Sequence, residues 1–290
     1  MMDKILAIVV THNGIGWMDR CLGSLESSSF KTDTLVVDNC STDGTPDYIA
    51  EHFPDAILFR GKENIGFGAA NNIGLRYALE NGYDFVYLLN QDAWVKKDTI
   101  ATLHDSWNKA YGVLSPVQVD AKGKMDANFR KKCGKYLREA GNSVDGDRLI
   151  VRVPFVMAAH WLMSRKTIET TGGFSPAFKQ YGEDDNYLDR MHWHGLRSGV
   201  VPAAEGVHDR SDRKTSREDR MRLKCVSTVI KLSDPGRSFL FRSLVEPLEL
   251  IGMTVKNFSL VPVRFIPELT ARYKELKTLR KASRKDGAFL

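Results

Sequence analysis

Between residues 4 and 92, short apolar runs rich in branched side chains alternate with stretches of helical spacing. This alternation constrains the fold more than any other feature. Continuous apolar runs are strands buried on both faces. A strand–helix–strand series closes into a mostly parallel sheet through right-handed crossovers. The runs at residues 4–10, 34–37, 56–59 and 83–89 read as strands, and those at 17–25, 45–52 and 67–79 as helices. Beyond them the pattern predicts a helix over 98–111, a strand over 113–119, a polar mobile excursion over 120–148, and renewed order over 149–163. A helix over 184–194 and a strand over 196–201 follow. From about residue 217 strands give way to helices, the better ones at 239–250 and 266–279. The expected fold is α/β with a C-terminal helical appendage, divided into residues 1–216 and 217–290.

The composition excludes several classes. Hydrophobic residues at 42% and charged residues at 27% describe an ordinary soluble globular chain. Cys21, Cys40, Cys133 and Cys225 are scattered without a Cys-x-x-Cys spacing, which predicts reduced thiols of a cytoplasmic protein. The N-terminus lacks a signal-peptide layout, and no apolar stretch reaches the ~18–20 residues of a membrane span. The net charge is +6, and residues 270–290 hold seven Lys/Arg against two Asp/Glu. Such a tail suits an anionic partner or a solvated helix end. No nucleic-acid motif accompanies it, so nucleic acid is not expected.

Six residues stand at or just after the ends of β-type runs: Asp38, Asn64, Asn71, Asp92, Asp184 and His208. In an open α/β sheet, ligands bind outside the carboxyl ends of the strands. Asp38 can accept hydrogen bonds from a base or ribose, or it can be a turn or cap residue. The run from Asn64 to Gly74 opens a helix with small residues that allow close approach to its backbone. Asp92 suits a hard cation, Mn2+ or Mg2+, whose remaining ligands are water and diphosphate oxygens. Glu183, Asp184 and Asp185 are clustered acids, able to poise a general base or to complement a helix N-terminus. His208 can complete a metal site, whereas His192 and His194, two apart on a helix, point in different directions.

Taken in order, the pieces Ile8-Val-Val-Thr-His-Asn13, Val36-Val-Asp-Asn-Cys-Ser-Thr-Asp-Gly44, Asn64-Ile-Gly-Phe-Gly-Ala-Ala-Asn-Asn-Ile-Gly74, Leu88-Leu-Asn-Gln-Asp-Ala-Trp94, Gly172-Gly-Phe174 and Gly182-Glu-Asp184, with His208 after them, resemble the inverting family 2 glycosyltransferases of GT-A fold. The nearest flavour is the bacterial rhamnosyl- and polysaccharide-type transferases. Each piece is weak alone, and the ordered set over about 210 residues is specific. The resemblance implies donor contacts from Thr11, His12, Asn13, Asp38, Asn64, Gly66, Asn71 and Gln91, with Trp161 lining the sugar pocket. It implies metal ligation by Asp92 and His208, Asp184 as general base, and Glu183 orienting the acceptor or the base. Asn90-Gln91-Asp92 replaces the fuller Asp-x-Asp element, which weakens the expectation of metal dependence.

The implied substrates are a UDP- or dTDP-linked sugar and a saccharide or lipid-linked acceptor. The basic tail is compatible with peripheral contact at the inner membrane face, and a homodimer is left open. Two other readings compete. A sugar nucleotidyltransferase would carry a glycine-rich loop with Arg and Lys after the first strand, which residues 11–16 lack. A catalytically silent sugar-nucleotide binder is kept open by the reduced metal motif.

Overall fold

The structure, a computed structural model, describes residues 3–141, 150–210 and 216–290. Residues 142–149, part of the expected excursion and the start of the segment after it, lie outside the described residues. The elements in chain order are β1 (Ile5–Thr11), α1 (Met18–Glu26), β2 (Asp33–Asp38), α2 (Thr45–His52), β3 (Ile57–Arg60), α3 (Phe67–Glu80), β4 (Phe85–Asn90) and β5 (Ala93–Val95). They continue with α4 (Thr99–Asp105), β6 (Tyr111–Val119), α5 (Ala127–Ala140), β7 (Val151–Val153), β8 (His160–Ser164), α6 (Arg165–Thr171), α7 (Glu183–Trp193) and β9 (Arg197–His208). The chain ends with α8 (Arg217–Ser233), α9 (Phe239–Asn257), α10 (Val261–Ala271) and α11 (Tyr273–Ala282).

One sheet of nine strands runs in the order β3-β2-β1-β4-β8-β6-β9-β5, with β7 also on β9. Strands β3, β2, β1 and β4 pair in parallel, and β6 pairs in parallel with β9. Between β4 and β6 lies β8, antiparallel to both. Hence β1, β2, β3, β4, β6 and β9 all point one way and deliver their last residues to one rim.

Strand β1 shows why the sequence reads as it does. Leu6, Ile8 and Val10 face a cluster built with Ala70 and Leu75 of α3, and Ile5, Ala7 and Val9 face one built with Met18, Cys21 and Leu22 of α1. With both faces covered, every position must be apolar, so alternation disappears. Gly74 sets how closely α3 lies on β1, because a Cβ there would stand 2.6 Å from the Ile8 side chain.

Several boundaries differ from the sequence reading. The expected mobile excursion over 120–148 contains α5, whose Phe129 and Cys133 enter the core while Asp126 caps its first turn by accepting from Phe129 N–H at 2.8 Å. Its polar composition reflects one solvated face, and a buried minority of residues is enough to dock it. The helix expected over 98–111 ends at Asp105, and Tyr111 already belongs to β6. The short β5 and α6 were not anticipated. Residues 266–279 are split between α10 and α11 at Arg272. His208, expected beyond a loop, is the last residue of a twelve-residue strand.

Gly74→Ala should lower unfolding free energy by about 1–3 kcal/mol, the usual cost of overpacking. Urea denaturation would show it as a lower midpoint at unchanged m-value; an unchanged midpoint would mean that α3 and β1 part without cost.

Candidate active site

The first loop is built by mutual side-chain support. Thr11 Oγ1 donates to Asp38 Oδ1 at 3.0 Å across the ends of β1 and β2. Ser41 N–H donates to Asp38 Oδ2 at 3.1 Å. The Asp38 side chain is therefore buried and engaged on both oxygens, each of which can accept once more. His12 N–H donates to Gln91 Oε1 at 2.8 Å, and Gln91 Nε2 returns a bond to the His12 carbonyl at 3.3 Å. Gln91 thus joins the end of β4 to the loop after β1. Asn13 takes a left-handed conformation, φ 50°, and its Oδ1 accepts from Thr42 N–H at 2.8 Å.

Asn39, which the sequence reading passed over, is a hub. Its Nδ2 donates to Asn64 Oδ1 at 2.9 Å, and its Oδ1 accepts from Ile65 N–H at 2.9 Å. Asn64 Oδ1 also accepts from Gly66 N–H at 3.0 Å. Gly66 has φ +87°, and a Cβ there would collide with the Lys179 carbonyl. The start of α3 therefore abuts the segment leading into α7. Gly68 in the next turn faces Phe174 and Glu183.

Asp92 and His208 meet where β5 turns onto β9: Ala93 pairs with His208, and His208 Nε2 lies 3.4 Å from Asp92 Oδ1. Both side chains are almost fully buried. Beneath them is His160, also unanticipated. Its ring is bonded to Tyr87 Oη at 2.8 Å and the Val207 carbonyl at 2.9 Å. Burial holds its pKa down at about 3, so it stays neutral. Arg210 adds a guanidinium 3.4 Å from His208 Nδ1 and 3.9 Å from Asp126 Oδ2.

The acids of α7 reach the same rim. Asn90 N–H donates to the Ala159 carbonyl at 3.2 Å. The neighbouring Ala158 N–H comes near enough to the Asp184 carboxyl to oppose the rise of its pKa, and that carboxylate accepts a hydrogen bond from Asp185 N–H at 2.9 Å. Burial, reinforced by Asp185 and Glu183, raises Asp184 well above the carboxylate range. Burial likewise raises Glu183 to about 7, and its Oε2 is buried without a hydrogen-bond partner. Lys132 of α5 opposes the rise at Asp185.

Asp38, Asp92, Glu183, Asp184 and His208 thus stand along one rim with Thr11, His12, Asn13, Asn64, Gly66 and Gln91. Two expected donor contacts do not. Trp161 is fully buried, stacked on Phe174 at 6.1 Å, with Nε1 donating to the Val156 carbonyl at 3.2 Å. Its place on β8 points it into the core below the rim. Asn71 is buried, and its Nδ2 donates to the Phe67 carbonyl one turn back at 3.0 Å. The exchange with the far segment is made by Asn72, whose Nδ2 donates to the Phe174 carbonyl at 2.9 Å while its Oδ1 accepts from Phe174 N–H at 2.6 Å.

Asp92 and His208 suit a divalent cation in donor type and closeness. No group of three or more His, Cys, Asp or Glu forms a metal cluster among the described residues. The pair is a partial ligand set, of the kind a bound diphosphate would complete.

Residues 6–172 match glycosyl transferase family 2. The chain belongs to that family. Among curated relatives, the N-acetylglucosaminyl-diphospho-decaprenol L-rhamnosyltransferase of Mycobacterium tuberculosis is 27% identical over 81% of this chain and 85% of that protein. The dTDP-rhamnosyl transferase RfbF of Shigella flexneri is 22% identical over 73% of this chain and 71% of its own length. Among solved structures, the mannosyltransferase PcManGT of Pyrobaculum calidifontis, in complex with GDP-Man and Mn2+, aligns at TM-score 0.59 and 19% identity over 97% of this chain and 85% of its own. Residues 1–349 of S. aureus TarS in complex with UDP align at TM-score 0.54 and 17% identity, over 84% and 70% of the two chains. The fold of this family 2 transferase is GT-A.

Between the ordinary Glu183 pKa of 4.5 and its raised value of about 7, the folded transferase binds more proton than the unfolded chain, so stability falls as pH rises through that window. Glu183→Gln should remove this part of the slope. Calorimetry from about pH 4.5 to about pH 7 should show the melting temperature of the parent falling more steeply than that of the variant. Parallel curves would place the Glu183 pKa at its ordinary value.

Proposed function

We propose that this chain is an inverting transferase moving a deoxyhexose, with L-rhamnose the leading candidate, from a dTDP-linked donor to a hydroxyl of a lipid-linked saccharide. One observation carries the mechanism: the Asp92–His208 pair and the Glu183–Asp184 acids lie on one rim, where Asn90 at the end of β4 bonds Ala159 and the adjacent Ala158 N–H lies near Asp184. The rhamnosyl relatives, one of them named for a decaprenyl diphosphate acceptor, support the sugar and the acceptor class.

In this reading the loops tied by Asn39, Gln91 and Asp38 hold the nucleotide, and Asp92 and His208 would hold Mn2+ or Mg2+. When bound, the cation neutralises charge developing on the departing diphosphate. Asp184 takes the proton of the acceptor hydroxyl. That oxygen bonds to the anomeric carbon as the carbon–oxygen bond to the diphosphate breaks, so one in-line displacement inverts the centre. Desolvation raises the proton affinity of Asp184, and the Asp185 N–H holds its carboxylate in place. Glu183, wedged against Gly68 and Phe174, positions the acid turn from behind.

Asp184→Asn should lower kcat by ~10²–10⁴ while donor affinity holds, since only proton removal is lost. Turnover near the parent level would move the base elsewhere. Asp92→Ala should weaken donor binding in Mn2+ by more than about tenfold with little change in its absence; identical calorimetric titrations would remove Asp92 from the cation site. Slow hydrolysis of dTDP-rhamnose without acceptor separates an active transferase from a silent binder.

A further inference from the structure

Helix α9 presents an unusual surface. Its exposed positions are Leu240, Phe241, Leu244, Leu248, Ile251 and Val255, with Gly252 and Lys256 as the only others. Leu240, Leu244, Leu248, Ile251, Val255 and Phe258 recur at intervals of three or four, which aligns them as one stripe. The stripe is bare: Leu240 is 74% exposed, Val255 70% and Phe258, just past the helix, 91%. Isolated apolar side chains on a surface are ordinary, but a contiguous stripe along five turns marks a docking surface.

Charge identifies the occupant. Of the two acids of α9, Glu246 is buried, bonded to Lys231 at 3.3 Å and to Arg242 at 3.1 Å, and the partly exposed Glu249 is paired with Lys231. Each carboxylate of the helix is therefore offset by a cation beside it. At the C-terminal end of the stripe, Arg217 and Lys224 of α8 each donate to Asn257, the residue before Phe258, at 3.1 Å. Lys256, next to Asn257 on α9, is exposed. Two like-charged copies of this face would repel, whereas anionic headgroups attract it. No helix among the described residues is long and apolar enough to cross a membrane. A helix with one apolar face, a basic border and a proline at position 247 lies in the interface plane.

The extreme C-terminal basic residues are less available for this contact. Arg272 donates to the Ala177 carbonyl at 2.7 Å, Arg280 to the Asp234 carbonyl at 2.9 Å, and Arg284 to the Pro235 carbonyl at 2.8 Å. The first bond fastens the appendage to the rest of the chain, and the other two tie its own helices together. Gly182, next to the acids of α7, leaves room for Val226 of α8, whose γ-carbon a Cβ at 182 would meet at 2.8 Å. Helix α8 in turn packs on α9 through a shared core that includes Cys225, Val229 and Leu250. The stripe therefore belongs to the packed unit directly behind the proposed acceptor acids.

We propose that the α9 stripe seats the enzyme on an anionic membrane surface, which would present a lipid-linked acceptor to the α7 side of the site. The second half of this statement rests on the acceptor class proposed above; the first does not. Flotation of the full chain with phosphatidylcholine vesicles containing phosphatidylglycerol tests it without any turnover. The parent should float with these vesicles and much less with pure phosphatidylcholine. Leu244→Glu/Leu248→Glu/Val255→Glu should reduce flotation by about tenfold or more. Phe258→Ser, a single change at the most exposed side chain, should reduce it measurably with the circular dichroism spectrum unchanged. Donor hydrolysis in solution should be the same in parent and variants, which separates failure of the membrane contact from failure of the proposed reaction. Equal flotation of parent and triple variant would overturn the proposal, as would a parent that does not float. A parent of twice the chain mass by light scattering, made monomeric by the triple variant and indifferent to vesicles, would assign the stripe to a second copy instead.

Discussion

The reversal of one strand organises the site. Because β8 runs against β4 and β6, its first residues arrive at the rim where the parallel strands end. Ala159 then accepts from Asn90 at the end of β4, and the Ala158 N–H comes near Asp184 at the start of α7. A fully parallel sheet would have carried residues 158–160 to the other rim. The acids of α7 would then lack the nearby Ala158 N–H. The same reversal puts His160 under Asp92 and His208, where burial keeps it uncharged and its two nitrogens are already occupied.

Burial of carboxylates is the second organising element. Isolated charges taken from water are costly, and a protein usually offsets this with a partner or a proton. Glu183 has an unpartnered buried oxygen, and Asp184 faces no cation that offsets its burial. Both are shifted upward, the direction a proton acceptor for a sugar hydroxyl requires. Asp185 faces Lys132 and is restrained from rising as far. The helix carrying Lys132 thereby contributes to the electrostatics of the site, although its sequence reads as a solvated excursion.

How much of this was legible in the sequence follows from physical cause. Strands buried on both faces leave unbroken apolar runs, so β1, β2 and β4 were readable, and so was the rim to which Asp38 and Asp92 belong. Family resemblance supplied the rest of the candidate list, and it over-reached at Asn71 and Trp161, whose side chains the fold turns inward. Helix α5 hid because Phe129 and Cys133 are its only fully buried apolar side chains, with Tyr136, Leu137 and Ala140 half-covered, against a surround of Arg and Lys. The roles of Asn39, Asn72 and His160 depend on partners 25 to 102 residues away, which no local pattern announces.

Gly66 carries a consequence for engineering. The loop leading into α3 and the segment before α7 touch there backbone to backbone, with no side chain between them. Neither half can be exchanged as an independent cassette: a grafted specificity loop must bring a glycine at 66 and a matching trace around Lys179, or the two pockets will separate. Recombining donor preference from one relative with acceptor preference from another is therefore a problem of backbone fit at this junction before it is one of side-chain choice.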